Sequence, residues 1–368
     1  QRFESIWVEA EEWRRTRLTL AKTQQLLNPF LEERPTILAP AKFVQLVILR
    51  QTTDFTILRT EASRELNSVL TPKSIVNHEP TLRIAFFGTK QKAVETRNYA
   101  AIFRELKKAC EVDTKTIKEI LGQTGLDDLP PEEVNASIDG CRLKDNLCLK
   151  CPRCILFGGI TVERGEREAS LKHRINYSTA YSLESYEEVA TAITFNAVYE
   201  EAEVTGKALG TIYAVDPVTN FPSIVTLRAP TLRELALYVK TLEVTADYGA
   251  ETRVRGRVRN HVVGIAAGMQ ELITPLELTL ELADRRKDFE STPENLTKMV
   301  YDIMLTYKKA ASFGTTAKVL TPEELGDVLC EIQSIAVDKE FIKAILLDSL
   351  RFHKDAREAL QRIRAEQE

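Results

Sequence analysis

The sequence predicts an α+β protein built around a split sheet core, and three observations carry that expectation. Short apolar, β-branched stretches recur along the chain, stretches with helical spacing separate them, and one stretch rich in Gly, Pro and Cys interrupts the pattern. The 368 residues are 43% hydrophobic and 28% charged, enough to bury a core and too apolar for a disordered tail. At roughly 150 residues per domain, that length suits two or three domains, or one with large insertions.

The elements follow in order. Residues 3–25 read as a helix rich in both charges, and Pro29, Pro35 and Pro40 punctuate a linker. Residues 43–49 (FVQLVIL) are apolar and β-branched enough for a buried strand, with residues 55–58 as its continuation or its hairpin partner. Residues 82–87 (LRIAFF) make another strand, and residues 93–109 carry Val94, Tyr99, Ile102, Phe103 and Leu106 at helical spacing. Gly122, Gly125, Pro130 and Pro131 then break the period. Strand patterning resumes over 192–204, 209–215 and 223–227, a helix over 232–242, and strands over 261–266 and 276–282. Helices dominate the end, over 296–311, 322–332 and 339–365.

This gives an N-terminal helical extension and linker (1–40), a core split between 41–110 and 183–285, an inserted subdomain (111–182) and a C-terminal helical region (286–368). Without the insertion and the helical ends, the order is β, α, β-hairpin, α, β. That is the ferredoxin-like order, in which RNA-recognition modules are also built. Order alone assigns no function.

Six cysteines are too few for a disulfide scaffold, and four of them fall within CRLKDNLCLKCPRC. The spacing C-x6-C-x2-C-x2-C places Cys141, Cys148, Cys151 and Cys154 as a set of soft ligands for a structural zinc ion. Arg142, Lys144, Lys150 and Arg153 lie among them and offset the charge of a tetrathiolate site. A redox pair at Cys151 and Cys154 is the less natural reading, since Cys148 sits three residues upstream. A zinc deaminase is excluded, because its H-x-E and P-C-x-x-C signature is missing. Cys110 and Cys330 stand alone and read as buried packing residues.

The net charge of −4 excludes a uniformly basic nucleic-acid wrapper, but three stretches run against it. Residues 83–108 carry seven basic residues against two acids, and Lys172, His173 and Arg174 follow the cysteine cluster. In GAETRVRGRVRNH an extended chain puts Arg253, Arg255, Arg257 and Arg259 on one edge. Such a ladder suits successive phosphates, and the alternative is an exposed strand paired with acids. Residues 183–204 hold six glutamates and no Lys or Arg, which suits either a solvated face or the basic edge of a neighbouring copy.

Catalytic motifs are missing: the sequence has no G-x-x-x-x-G-K-[ST] loop, no G-x-S-x-G elbow and no H-E-x-x-H. Asp54, Asp216 and Asp247 are lone carboxylates without a preferred role. Apolar runs fall far short of the roughly 18 residues of a membrane span, and the first residues lack a signal peptide's apolar centre, so a cytoplasmic protein is expected.

Three blocks, in this order, resemble the repeating backbone subunit of type I-D CRISPR–Cas effector complexes. They are FVQLVILRQTTDFTILRTE, CPRCILFGG with SLKHRINYSTAYSL behind it, and GAETRVRGRVRNHVVGI, and the resemblance covers residues 27–282 or so. It implies a modified RNA-recognition fold with zinc-binding and helical insertions, the zinc being structural. It also implies several copies head to tail along one CRISPR RNA, beside other subunits of the complex, presenting the guide for pairing with target DNA. The opening hairpin would be the thumb over the guide, placing Arg50, Arg59 and Arg64 near it. Lys172, His173, Arg174, Arg253, Asn260 and His261 carry over as guide contacts, beside Arg255, Arg257 and Arg259 of the ladder. No catalysis is implied. The rival expectation is a zinc-containing nuclease or nucleic-acid-modifying enzyme.

Overall fold

The computed structural model describes residues 20–60, 65–142, 147–163, 166–199, 204–249, 254–285 and 293–365. Helix α1 (Ala21–Leu27) leads through a 3-10 turn (Asn28–Phe30) into β1 (Phe43–Thr52). The hairpin β2 (Ser68–Pro72) and β3 (Pro80–Phe86) precedes the long helix α2 (Gly88–Ala109). Then come α3 (Thr114–Thr124), α4 (Pro131–Asp139), α5 (Pro152–Phe157), the pair β4 (Gly159–Glu163) and β5 (Glu166–Leu171), and the short β6 (Ile175–Tyr177) and β7 (Ala180–Tyr181). One turn, α6 (Tyr186–Val189), opens the ribbon β8 (Ala190–Tyr199) and β9 (Val204–Val215). After it run β10 (Asn220–Arg228), α7 (Leu232–Val244), β11 (Val258–Gly268), α8 (Pro275–Asp284), α9 (Pro293–Ala310), β12 (Lys318–Val319), α10 (Pro322–Ser334) and α11 (Lys339–Ala365).

The central sheet has the order β12-β11-β1-β10-β6, every neighbour antiparallel. β1 lies in the middle and is covered on both faces, which is why apolar residues face both sides of it rather than alternating with exposed polar ones. Val44, Leu46 and Ile48 pack with Tyr99 and Phe103 of α2 and Leu235 and Tyr238 of α7. Val47 and Leu49 point the other way, onto Leu278 and Leu282 of α8 and Val300 and Met304 of α9. The result is an α+β protein with helices on both sides of an antiparallel sheet.

Several expectations change. Residues 55–58 form no strand and no hairpin with β1; Thr56 makes a single bridge to Val215. The hairpin ribbons among the described residues are β2–β3, β4–β5 and the longer β8–β9. Residues 276–282 are not a strand but the body of α8. Their Leu-x-Leu-x-Leu alternation imitates a strand, yet Pro275, Leu278, Thr279 and Leu282 are buried at helical spacing. The inserted stretch does not stand apart, because its end supplies β6, the edge strand beside β10. Of the N-terminal helix, residues 1–19 lie outside the described residues.

Candidate functional site

The four cysteines of the cluster converge. Cys141 follows the end of α4, Cys148 and Cys151 flank a tight turn, and Cys154 lies within α5. All four are buried, and their sulfurs lie within 4.8 Å of one another. Sγ of Cys141 is 3.5 Å from that of Cys154 and 3.7 Å from that of Cys151. A tetrahedral zinc site with bonds of about 2.3 Å has sulfurs about 3.8 Å apart, so the donor set fits the ion.

The turn between Cys148 and Cys151 uses Leu149 at φ 53, a left-handed conformation that aims the backbone N–H groups of Lys150 and Cys151 at the Cys148 sulfur, at 3.4 and 3.3 Å. Arg153 Nη1 lies 3.5 Å from the Cys154 sulfur. Cys141 is held far below the usual thiol range because Cys148, Cys151 and Cys154 bond to it, and the same bonds push Cys148 and Cys151 above that range. Cys154 is lowered as well, its bond with Cys141 being outweighed by those with Cys148 and Cys151, and a divalent cation would let all four buried thiols ionise. Cys110 is half-buried with its thiol on the Val337 carbonyl, and Cys330 is exposed, so the lone pair are not both packing residues.

The candidate RNA contacts divide into two groups. Arg50, Arg174 and Asn260 are interior, so they do not lie on a surface facing a ligand. Arg50 pairs with Glu95 at 2.7 Å and donates to Ser223 Oγ, Tyr248 OH and Asn260 Oδ1. Asn260 in turn donates to the carbonyls of Leu242 and Thr245. Arg174 pairs with Glu234 and donates to the Ala229 carbonyl. The alternation that aims Arg50 and Asn260 inward is that of β1 and β11, whose face toward α2 and α7 carries both apolar residues and these two polar groups.

Arg255, Arg257 and Arg259 are exposed and Gly256 and Val258 buried, although the chain is not extended throughout, since Gly256 has φ 69. Asp247 lies 3.6 Å from Arg255 and 3.7 Å from Arg257, one carboxylate between two guanidinium groups. Lys172 and His173 are also exposed, and Arg59 and His261 are half-buried. Arg64 and Arg253 lie outside the described residues, as do Glu200, Glu201 and Glu203 of the glutamate stretch.

The basic groups sit at opposite ends of β1. Arg259 lies beside Gln51, whereas the Arg174 carbonyl next to Lys172 and His173 accepts from Arg228, which lies beside Phe43. The ten residues of β1 span about 30 Å at roughly 3.3 Å each. At the Phe43 end, Lys172, His173 and Arg228 line a cleft of about 440 Å³ whose other wall holds Leu38, Phe352 and Leu360.

Lys92 and the buried Arg153 also reach this end. Burial and then nearby Arg153 hold the Lys92 amine below its usual range, and burial followed by Lys92 and Lys172 does the same to His173. The sequence offered no signal for this grouping, since the four residues come from three separate stretches. Other members of the 83–108 stretch are structural: Arg83 donates to the carbonyls of Lys73, Ser182 and Leu183, and Lys107 pairs with Asp139.

A family model described as Csc2 Crispr matches residues 27–346. The chain belongs to the Csc2 CRISPR family. The match begins at the end of α1 and ends within α11. The crystal structure of Thermofilum pendens Csc2 superposes with a TM-score of 0.61 at 18% identity, covering 90% of this chain and 94% of that one, and so shares the fold. A CRISPR RNA-guided surveillance complex chain, in a pre-nicking state, aligns over 73% of this chain and 86% of its own at 13% identity and a TM-score of 0.42. No curated protein sequence matches. Among the described residues of this Csc2-family chain, no second group of three or more His, Cys, Asp or Glu converges as a metal site, and no helix is long and apolar enough to cross a membrane.

Proposed function

We propose that this Csc2-family chain is the repeating backbone subunit of a type I-D CRISPR interference complex in the cytoplasm. It binds CRISPR RNA, assembles head to tail with its own copies beside the other subunits, and presents the guide for pairing with target DNA. Sequence is then read by base pairing, and the protein reads backbone and shape. The zinc ion is structural: four thiolates close its coordination and leave no open position for chemistry. The chain itself is not an enzyme.

The observation that carries this reading is the exposed ladder Arg255, Arg257 and Arg259, three guanidinium groups with Asp247 as the acid between two of them. The core supports it. β11-β1-β10-β6, with α2 and α7 as the two connecting helices on one face, is the strand order of a βαββαβ ferredoxin-like or RNA-recognition module. The guide contacts are then the ladder together with Lys172 and His173, flanked by Arg59 and His261, while Arg50, Arg174 and Asn260 hold the fold. The ribbon β8–β9 takes the role of the thumb.

The test is RNA binding over a range of salt. Replacing Arg255, Arg257 and Arg259 together by Gln should weaken binding to any RNA sequence and flatten the salt slope by about two, at roughly 0.7 per phosphate contact on a single strand. Unchanged affinity and slope would remove the ladder from the interface. Labelled RNA and DNA should both survive incubation with the protein and Mg²⁺; cleavage would overturn the non-catalytic reading.

A further inference from the structure

The metal centre and the basic cleft are joined by one short stretch of backbone. Helix α5 begins after Cys151, carries Arg153 and Cys154, and ends at Gly158. Gly158 has φ 74, and a Cβ there would lie 2.7 Å from the His173 nitrogen and 2.7 Å from the Leu171 carbonyl oxygen. That approach admits only glycine. Next to it the Arg174 N–H donates to the Leu156 carbonyl at 2.9 Å, and the Arg174 side chain is anchored on Glu234 of α7. Residues 171–174 are therefore clamped between the helix that carries Cys154 and the helix behind it. Lys172 and His173 project outward from this clamped segment.

Lys92 and Lys172 are the charged groups that act on His173 among the described residues, and Asn176 is its hydrogen-bond partner. Lys92 in turn faces Arg153, whose guanidinium also reaches the Cys154 sulfur. Arg153 has the thiolate site as its anion, whereas the exposed Lys172 and His173 gain from a second one, which a phosphodiester supplies.

We propose that the metal centre sets the geometry of this phosphate site: with the metal bound, α5 and Gly158 hold Lys172 and His173 in place for the RNA backbone, and metal loss frees that segment. This rests on the RNA-binding reading above. It makes metal occupancy and RNA affinity energetically linked through residues 158 and 171–174, and it makes Gly158 a positioning residue rather than a contact.

The experiment compares wild type with K172A/H173A, each metal-loaded and metal-stripped, reading RNA affinity across salt, metal content and circular dichroism. Stripping should weaken wild-type binding about tenfold, the scale of a lost supporting shell, and lower its salt slope by about one. K172A/H173A should begin at the weaker affinity and lose less than about twofold on stripping, because the coupled segment is already gone. Equal losses in the two proteins would overturn the proposal.

Gly158→Ala provides an arm that does not depend on the stripped protein staying folded. It should weaken RNA binding about tenfold at one metal per chain, on the same scale; unchanged affinity at full metal content would overturn the proposal. A wild-type protein that binds no RNA would sink the parent reading, whereas RNA binding indifferent to metal would sink this one alone.

Discussion

Arg50 lies near the end of a mostly apolar strand, and its environment explains how a charge can be fully buried there. Glu95 takes hydrogen bonds from Tyr177, Tyr238 and Tyr248 at 2.6–2.8 Å as well as the ion pair. The guanidinium lies 5.4 Å from the Tyr248 ring centroid and 5.9 Å from that of Phe86. Burial works against the Arg50 charge, but Glu95 and the tyrosines outweigh it and hold the group above its usual range. Burial and the Glu95 charge push all three tyrosines well above theirs. A buried pair is costly to break and cheaper to replace whole. Arg50→Met or Glu95→Leu alone should lower unfolding free energy by about 3–5 kcal/mol, and the double variant should recover much of that loss. Denaturant titration reads this, and RNA affinity per folded molecule should stay within about twofold, since none of these groups is at the surface. The sequence could not show the network. Arg50 opens a polar stretch (RQTTD), which reads as exposed, and its partner Glu95 is 45 positions away in a helix that looked simply basic. Lys172 and His173 stood out in the sequence as part of a basic cluster, and both are exposed.

At the scale of elements, helix starts were more legible than the periodicity made them. Ser185 with Glu188, Thr231 with Glu234, Thr274 with Glu277 and Thr321 with Glu324 each form a reciprocal capping box, the Ser/Thr-x-x-Glu signature written in the chain. For α8 that signature competed with the alternating leucines and should have won, because Thr-Pro-Leu-Glu also puts proline at the first helical position. The long terminal helix α11 needed no such help, since its span gives the 3.6-residue period room to show. β1 was legible from its dense apolar, β-branched run, whereas the absence of a hairpin partner at 55–58 depends on contacts with β9 and Gly249 far along the chain. Thr274→Ala should lower stability by about 1 kcal/mol through loss of the cap. A strand at this position would register the change weakly. Denaturation midpoints with far-ultraviolet dichroism check the outcome, and no loss would mean that the cap is dispensable to α8.

On the scale of the whole molecule, the cysteine cluster belongs to the main core rather than to a separate body. Cys141, Cys148, Cys151 and Cys154 share one buried cluster with Val44, Leu46 and Ile48 of β1, Tyr99 of α2, and Ile342 and Leu346 of α11. The sequence suggested a self-contained insertion because local composition changes at residue 111, but composition does not reveal that α3 and α5 pack against α11. This shared core fixes how metal loss is felt. A metal that binds only the folded state stabilises by about 4 kcal/mol at a thousandfold excess over its dissociation constant. For a chain of this length, with roughly 2 cal/mol/K of unfolding entropy per residue, that corresponds to about 5 °C in melting temperature. Because the thiols sit in the common core, the shift should appear in the whole unfolding transition. Calorimetry of the metal-loaded and metal-stripped protein should show one cooperative peak in each, displaced downward on stripping. A second, early peak that alone responds to metal would make the cysteine stretch an independent unit, and it would separate the thiol site from the sheet that carries the arginine ladder.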